Sequence, residues 1–138
     1  MTALVDTRGL FAVYPGAEGG VAALQGLTMR VEERELCVVL GPSGSGKTTL
    51  LRVLAGLERP SVGTAVVDGV DLARAPASQV DLYRRRTLGY MDQHYWLALA
   101  DELTIEQAVG VPLGLAGADA GERTRRAREL LERVGLLD

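Results

Sequence analysis

The segment Gly41-Pro42-Ser43-Gly44-Ser45-Gly46-Lys47-Thr48 brings together the residue types needed to hold a polyphosphate. It satisfies the G-x-x-x-x-G-K-[ST] P-loop pattern in full. A loop that wraps phosphate must aim successive backbone N–H groups inward, and glycines permit both the dihedrals and the close approach. The pattern assigns Lys47 to the β- and γ-phosphates and the Thr48 hydroxyl to Mg²⁺, with Thr49 next in the chain. Of the 15 basic residues, 14 are arginine, and the single lysine is Lys47. A compact ammonium on a flexible stem suits insertion between phosphate groups better than a planar guanidinium. By itself the loop fits small-molecule kinases, GTPases and many ATPases.

The elements around the loop must place it at a helix N-terminus. Leu36-Cys37-Val38-Val39-Leu40 is a continuous apolar run of strand length, the pattern of a strand buried on both faces. After the loop a helix is expected to about Leu57, with Leu50, Leu51, Leu54 and Leu57 on the face packed on the sheet. Its first turn carries the positive end of the helix dipole, about half a charge, toward the anion. Gly56 and Pro60 mark its end.

Upstream, Leu10 to Pro15 reads as a short strand, Gly16 to Gly20 as a turn, Val21 to Val31 as a second strand and Glu32 to Glu35 as a polar turn. Downstream, Thr64 to Val70 turns at Asp68-Gly69 in the manner of a hairpin. Residues 78–86 read as helix and Thr87 to Met91 as a short strand. Thr104 is placed to cap a helix over 105–110, and Pro112 with Gly114, Gly117 and Gly121 is expected to break the chain. A last helix over 122–134 has Glu122/Arg126, Arg125/Glu129 and Arg128/Glu132 spaced for ion pairs, with Leu130, Leu131 and Val134 on its apolar side. The basic run Arg123 to Arg128 is therefore a solvated helix face.

Composition excludes several classes. Hydrophobic content of 47% and charged content of 24% are those of a folded globular chain. A formal charge of −3 gives no overall attraction to nucleic acid. No stretch approaches the ~20 apolar residues that span a bilayer, so a part in membrane transport requires a separate membrane partner. Cys37, the one cysteine, reads as a small buried hydrophobe in a reducing setting.

The string from Gly41 to Leu51, followed by Leu54-Ala55-Gly56-Leu57, resembles the Walker A segment of ABC-transporter nucleotide-binding subunits. Val67-Asp68-Gly69, Asp71-Leu72 and Tyr83 to Tyr90 running into Gln93 resemble the segments that succeed it. Leu103-Thr104-Ile105-Glu106, Val111-Pro112-Leu113 and Leu115-Ala116-Gly117 resemble the subgroup serving lipoprotein-release and macrolide-efflux exporters.

The resemblance implies an α/β P-loop NTPase of ABC type. An antiparallel β-subdomain and a partial RecA-like parallel core would occupy about 1–93, and the start of a helical subdomain about 94–138. It also implies that Tyr14 stacks on adenine and that Gln93 touches Mg²⁺ and senses the membrane domain. ATP and Mg²⁺ are the implied cofactors. The implied partners are a transmembrane permease subunit and a second ATP-binding domain, on the cytoplasmic face of the membrane, with no nucleic acid.

Departures from the family pattern bear on hydrolysis. A segment resembling Leu-Ser-Gly-Gly-Gln, the Walker B strand with its catalytic glutamate, and the switch histidine have no counterpart in the sequence. His94 follows Gln93 directly and reads as an ordinary loop residue, and Asp92 stands where the family usually has an apolar or aromatic side chain. Leu97-Ala98-Leu99-Ala100-Asp101-Glu102 imitates Walker B, but five residues after strand 87–91 permit only an antiparallel return. The expectation is therefore the front half of an ATP-binding domain, a fragment or truncated product that binds ATP and hydrolyses little. A non-hydrolysing nucleotide-dependent adaptor, a small P-loop kinase and a soluble ABC protein of translation or DNA repair are the rival readings.

Overall fold

The computed structural model describes residues 3–16, 19–91, 93, 100 and 102–137, which fall into two units, residues 1–88 and residues 89–138. In the first unit, β1 (Ala3–Tyr14) and β2 (Val21–Glu32) form a long antiparallel pair. β3 (Val62–Val67) adds to the other edge of β1 and β4 (Val70–Asp71) to β3, giving the order β2-β1-β3-β4. The alternation in β1 explains its facing: Leu10 and Ala12 are buried while Phe11 and Val13 face out. β1 begins at Ala3 rather than Leu10, because Thr7, fully buried, takes an inward position and accepts a hydrogen bond from Met29 N at 3.0 Å.

The expected hairpin forms, with Asp68 and Gly69 both at positive φ between β3 and β4. Helix α1 (Lys47–Leu54) lays Leu50 and Val53 into a core shared with Leu10, Leu24, Ala65 and Leu72. Leu51 and Leu57, expected on this face, are exposed. The helix stops short of Leu57 because Gly56, at φ +64, closes it in a Schellman turn: Leu57 N donates to Arg52 O at 2.9 Å and Gly56 N to Val53 O at 3.0 Å. Helix α2 (Ala77–Arg86) covers the same core through Val80 and Tyr83. The Tyr83 hydroxyl donates to Leu54 O at 2.7 Å, and burial pushes its pKa up.

Two expected strands do not form. Residues 36–40 and 87–91 make no ladder, and Leu36 and Leu40 are 88% and 86% exposed, with Cys37 exposed between them. An apolar run is buried on both faces only when strands flank both its edges and layers cover both faces. Among the described residues the sheet ends at β2 and β4, and neither supplies an edge to this run. A cavity of about 270 Å³ lies between Val39 and Leu40 on one side and the core residues Leu24 and Leu50 with the partly buried Leu27 on the other. Exposed runs of this kind promote self-association. Leu36→Lys is expected to change unfolding free energy by less than about 0.5 kcal/mol while reducing concentration-dependent association in sedimentation velocity.

The second unit holds α3 (Ile105–Leu115) and α4 (Ala120–Arg133), packed on each other. Thr104 caps α3 in a full capping box with Gln107. The break expected at Pro112 does not occur: the helix runs through it and closes in a second Schellman turn at Gly117. A proline lacks only its own N–H and crowds one carbonyl, a local cost that both well-capped ends offset here. On α4, Arg125 pairs with Glu129 at 2.7 Å as expected, but Arg128 reaches across to Glu106 on α3, also at 2.7 Å, instead of pairing with Glu132. Ala127 and Leu131 are its buried positions, while Val134 is exposed.

Candidate functional site: a phosphate loop at a helix N-terminus

The loop 41–46 descends into α1 through Gly46, which serves as N-cap at φ +86 with no side-chain cap. A Cβ at this position would lie 2.2 Å from Ala23 O and 3.1 Å from Leu24 Cδ2, so only glycine lets the loop dock against β2. Gly44 is also at positive φ, and Ser45 N donates to Pro42 O at 3.3 Å. The first α1 hydrogen bond, Leu50 N to Gly46 O at 2.8 Å, leaves the N–H groups of the first turn without intrahelical acceptors. No acidic side chain sits in that turn. The positive end of the helix dipole thus faces outward uncapped, as an anion site requires.

Lys47 is folded over the loop. Its Nζ donates to Gly41 O at 2.8 Å and Pro42 O at 2.7 Å, with Ser45 Oγ at 3.4 Å. An ammonium carries three donors, and these three oxygens hold it at the loop. Pro42, Ser43 and Thr48 are exposed, and Thr49 is half-buried on α1. Among the described residues no group of three His, Cys, Asp or Glu side chains could hold a metal ion. Beside nucleotides Mg²⁺ keeps several waters and is usually held by one or two carboxylates with phosphate oxygens, and on this loop the exposed Thr48 hydroxyl is the side-chain oxygen the P-loop pattern offers it.

Tyr14 ends β1, 40% exposed. Its hydroxyl donates to Glu58 Oε2, and this contact, ahead of the weaker opposing influence of Thr49, raises its pKa. The structure therefore joins Tyr14 to the helix that starts at Lys47. Sequence reasoning did not single out Glu58 or Arg52, and a carboxylate 44 residues from the tyrosine it holds leaves no local signal. Gln93 is exposed and belongs to the second unit. Asp92, His94, Leu97 to Leu99 and Asp101 lie outside the described residues, as do Ala17 and Glu18 of the expected turn.

A glycine-rich loop at the uncapped start of a helix, set against an antiparallel sheet, is the arrangement of an α/β protein of the P-loop class. The ABC transporter family model matches residues 24–138, and the chain belongs to that family. It is 38% identical over its whole length to an uncharacterized ABC transporter ATP-binding protein of Thermotoga maritima. It is 40% identical over 135 residues, 98% of its length, to a macrolide export ATP-binding/permease protein of Paracoccus denitrificans. Over 120 residues, 87% of its length, it is 45% identical to a methionine import ATP-binding protein of Caulobacter vibrioides.

The fold aligns over 95% of the chain, at TM-score 0.87 and 27% identity, with the ATP-binding cassette MJ0796, solved as a dimer in a post-hydrolysis state with ADP and Pi. It is a partial ABC ATPase fold: the chain spans 58%, 20% and 35% of those three relatives and 57% of the cassette. Among the described residues no helix is long and apolar enough to cross a membrane.

Proposed function

We propose that this chain is the nucleotide-binding part of an ABC transporter ATPase and binds ATP with its phosphates in the loop Gly41 to Thr48. The observation that carries the reading is Lys47, held by the carbonyls of Gly41 and Pro42 over an uncapped helix N-terminus. Lys47 contacts the β- and γ-phosphates, the backbone N–H groups from Gly44 to Thr49 take the remaining oxygens, and Thr48 ligates Mg²⁺. Tyr14 offers a face to adenine, where stacking contributes roughly 1–3 kcal/mol. Gln93 is assigned to Mg²⁺ on the family resemblance alone.

In the longer protein, hydrolysis is in-line attack of water on the γ-phosphate, coupled to a permease subunit and to a second ATP-binding domain at the cytoplasmic face of the membrane. Export is the direction read from the segments 103–106 and 111–117. The second unit is read as the start of a helical subdomain. A nucleotide-dependent adaptor that binds ATP without hydrolysing it is the second reading.

Titration calorimetry with MgATP and with AMP tests the site. Removing the β- and γ-phosphates removes the partners of Lys47, so AMP is expected to bind at least about 30-fold more weakly, each charge-assisted hydrogen bond contributing roughly 1.5–3 kcal/mol. Equal affinities for the two would remove the phosphate loop from the assignment.

A further inference from the structure

Tyr14 is not a free surface ring. Its hydroxyl proton goes to Glu58 Oε2, which leaves the Thr49 hydroxyl, 3.4 Å away, as donor to the phenol oxygen. The other Glu58 oxygen, Oε1, accepts from Arg52 Nε. Thr49 and Arg52 are one turn apart on α1, and the Schellman turn at Gly56 delivers Glu58 back beside that helix, with Glu58 N donating to Arg52 O at 3.3 Å. The chain beyond Glu58 is tied to the end of β1: Ser61 N donates to Phe11 O at 2.8 Å, and Ser61 Oγ accepts from Val13 N at 2.9 Å. Four side chains, Tyr14, Thr49, Arg52 and Glu58, thus link the strand end that carries the ring to the helix that carries the phosphate loop.

We propose that Glu58, braced by Arg52, is a positioning residue that fixes the Tyr14 ring relative to the phosphate loop and thereby sets affinity for the base half of the nucleotide without touching it. The inference rests on the reading of Tyr14 as the base platform. A ring held before binding loses little freedom when a base stacks on it, whereas an untethered ring must be ordered first.

Affinities for MgATP and for magnesium tripolyphosphate, which has the phosphates and no base, separate the possibilities. They are measured for wild type, Tyr14→Ala, Tyr14→Phe, Glu58→Ala and Glu58→Gln, with thermal unfolding midpoints recorded for each. Tyr14→Ala is expected to weaken MgATP about tenfold, and Glu58→Ala and Tyr14→Phe about three- to fivefold, with tripolyphosphate within about twofold of wild type throughout. Glu58→Gln, which keeps an acceptor for the phenol, is expected to recover most of the loss. The double variant Tyr14→Phe/Glu58→Ala is expected to be no worse than either single one, because both remove the same bond.

If Tyr14→Ala weakens MgATP selectively but Tyr14→Phe and Glu58→Ala bind like wild type, the positioning role is overturned and the stacking reading stands. If Tyr14→Ala binds MgATP normally, the stacking reading fails and takes this inference with it. Equal losses for MgATP and tripolyphosphate in Glu58→Ala overturn the proposal in favour of a purely structural Glu58. Tyr14→Phe decides the matter should Glu58→Ala fail to fold, since it deletes only an oxygen.

Discussion

Replacing Lys47 with alanine is expected to reduce MgATP affinity on the order of 100-fold, equivalent to about 2.8 kcal/mol. The ammonium is the only side-chain cation on the loop, and the bonds proposed for it to phosphate oxygens are charge-assisted, each roughly twice as strong as a neutral hydrogen bond. The carbonyls it now holds, those of Gly41 and Pro42, lie on exposed residues, so water replaces the ammonium at little cost. Binding should therefore fall while the urea midpoint of unfolding moves little. Arginine at this position keeps the charge but brings a planar fork in place of a compact ammonium, and a loss of about tenfold is expected for it. Calorimetric titration checks both variants, and an unchanged MgATP affinity in Lys47→Ala would remove the lysine from the site.

Alanine at Gly46 is expected to be the most destabilising change in the loop, at more than about 3 kcal/mol. Two causes add: a non-glycine residue in the left-handed region costs roughly 1–2 kcal/mol, and its Cβ would stand 2.2 Å from Ala23 O, a backbone atom of β2 that cannot swing aside. Against the ~5–15 kcal/mol stability of an ordinary domain, this removes roughly a fifth or more of the total. Gly44 supplies the control. It has a similar φ, +80, but nothing within 4 Å of a built Cβ, so Gly44→Ala carries only the backbone cost of about 1–2 kcal/mol. Urea titration followed by far-ultraviolet circular dichroism should rank Gly46→Ala well below Gly44→Ala. Equal stabilities would mean that the loop does not dock on β2 as described.

Local chemistry made much of this protein legible before its structure. The phosphate loop and its helix follow from a glycine-lysine-threonine pattern with contiguous spacing, because a backbone anion nest is built from neighbouring residues. The Asp68-Gly69 hairpin and the Thr104 cap are short-range devices for the same reason, each satisfied within four residues of chain. Helix α4 was readable from its charge spacing, although Arg128 chose Glu106 over the expected intrahelical partner. That choice depends on α3 lying alongside, which periodicity within one helix does not encode.

Burial is where sequence and structure part. Leu36 to Leu40 carries the hydrophobicity of a fully covered strand, yet coverage belongs to the neighbours, and the described residues supply no strand on either edge. The apolar run states what environment it needs, and only the fold decides whether that environment exists. The same division holds at the binding site. Residue types and spacing alone determined that this chain carries a phosphate loop and a family resemblance centred on it. The tertiary structure alone brought Tyr14 from the end of β1 to Glu58, just past α1 and bound to Arg52 on it, because a strand end and a helix flank separated by 44 residues meet only through packing of the sheet against the helix.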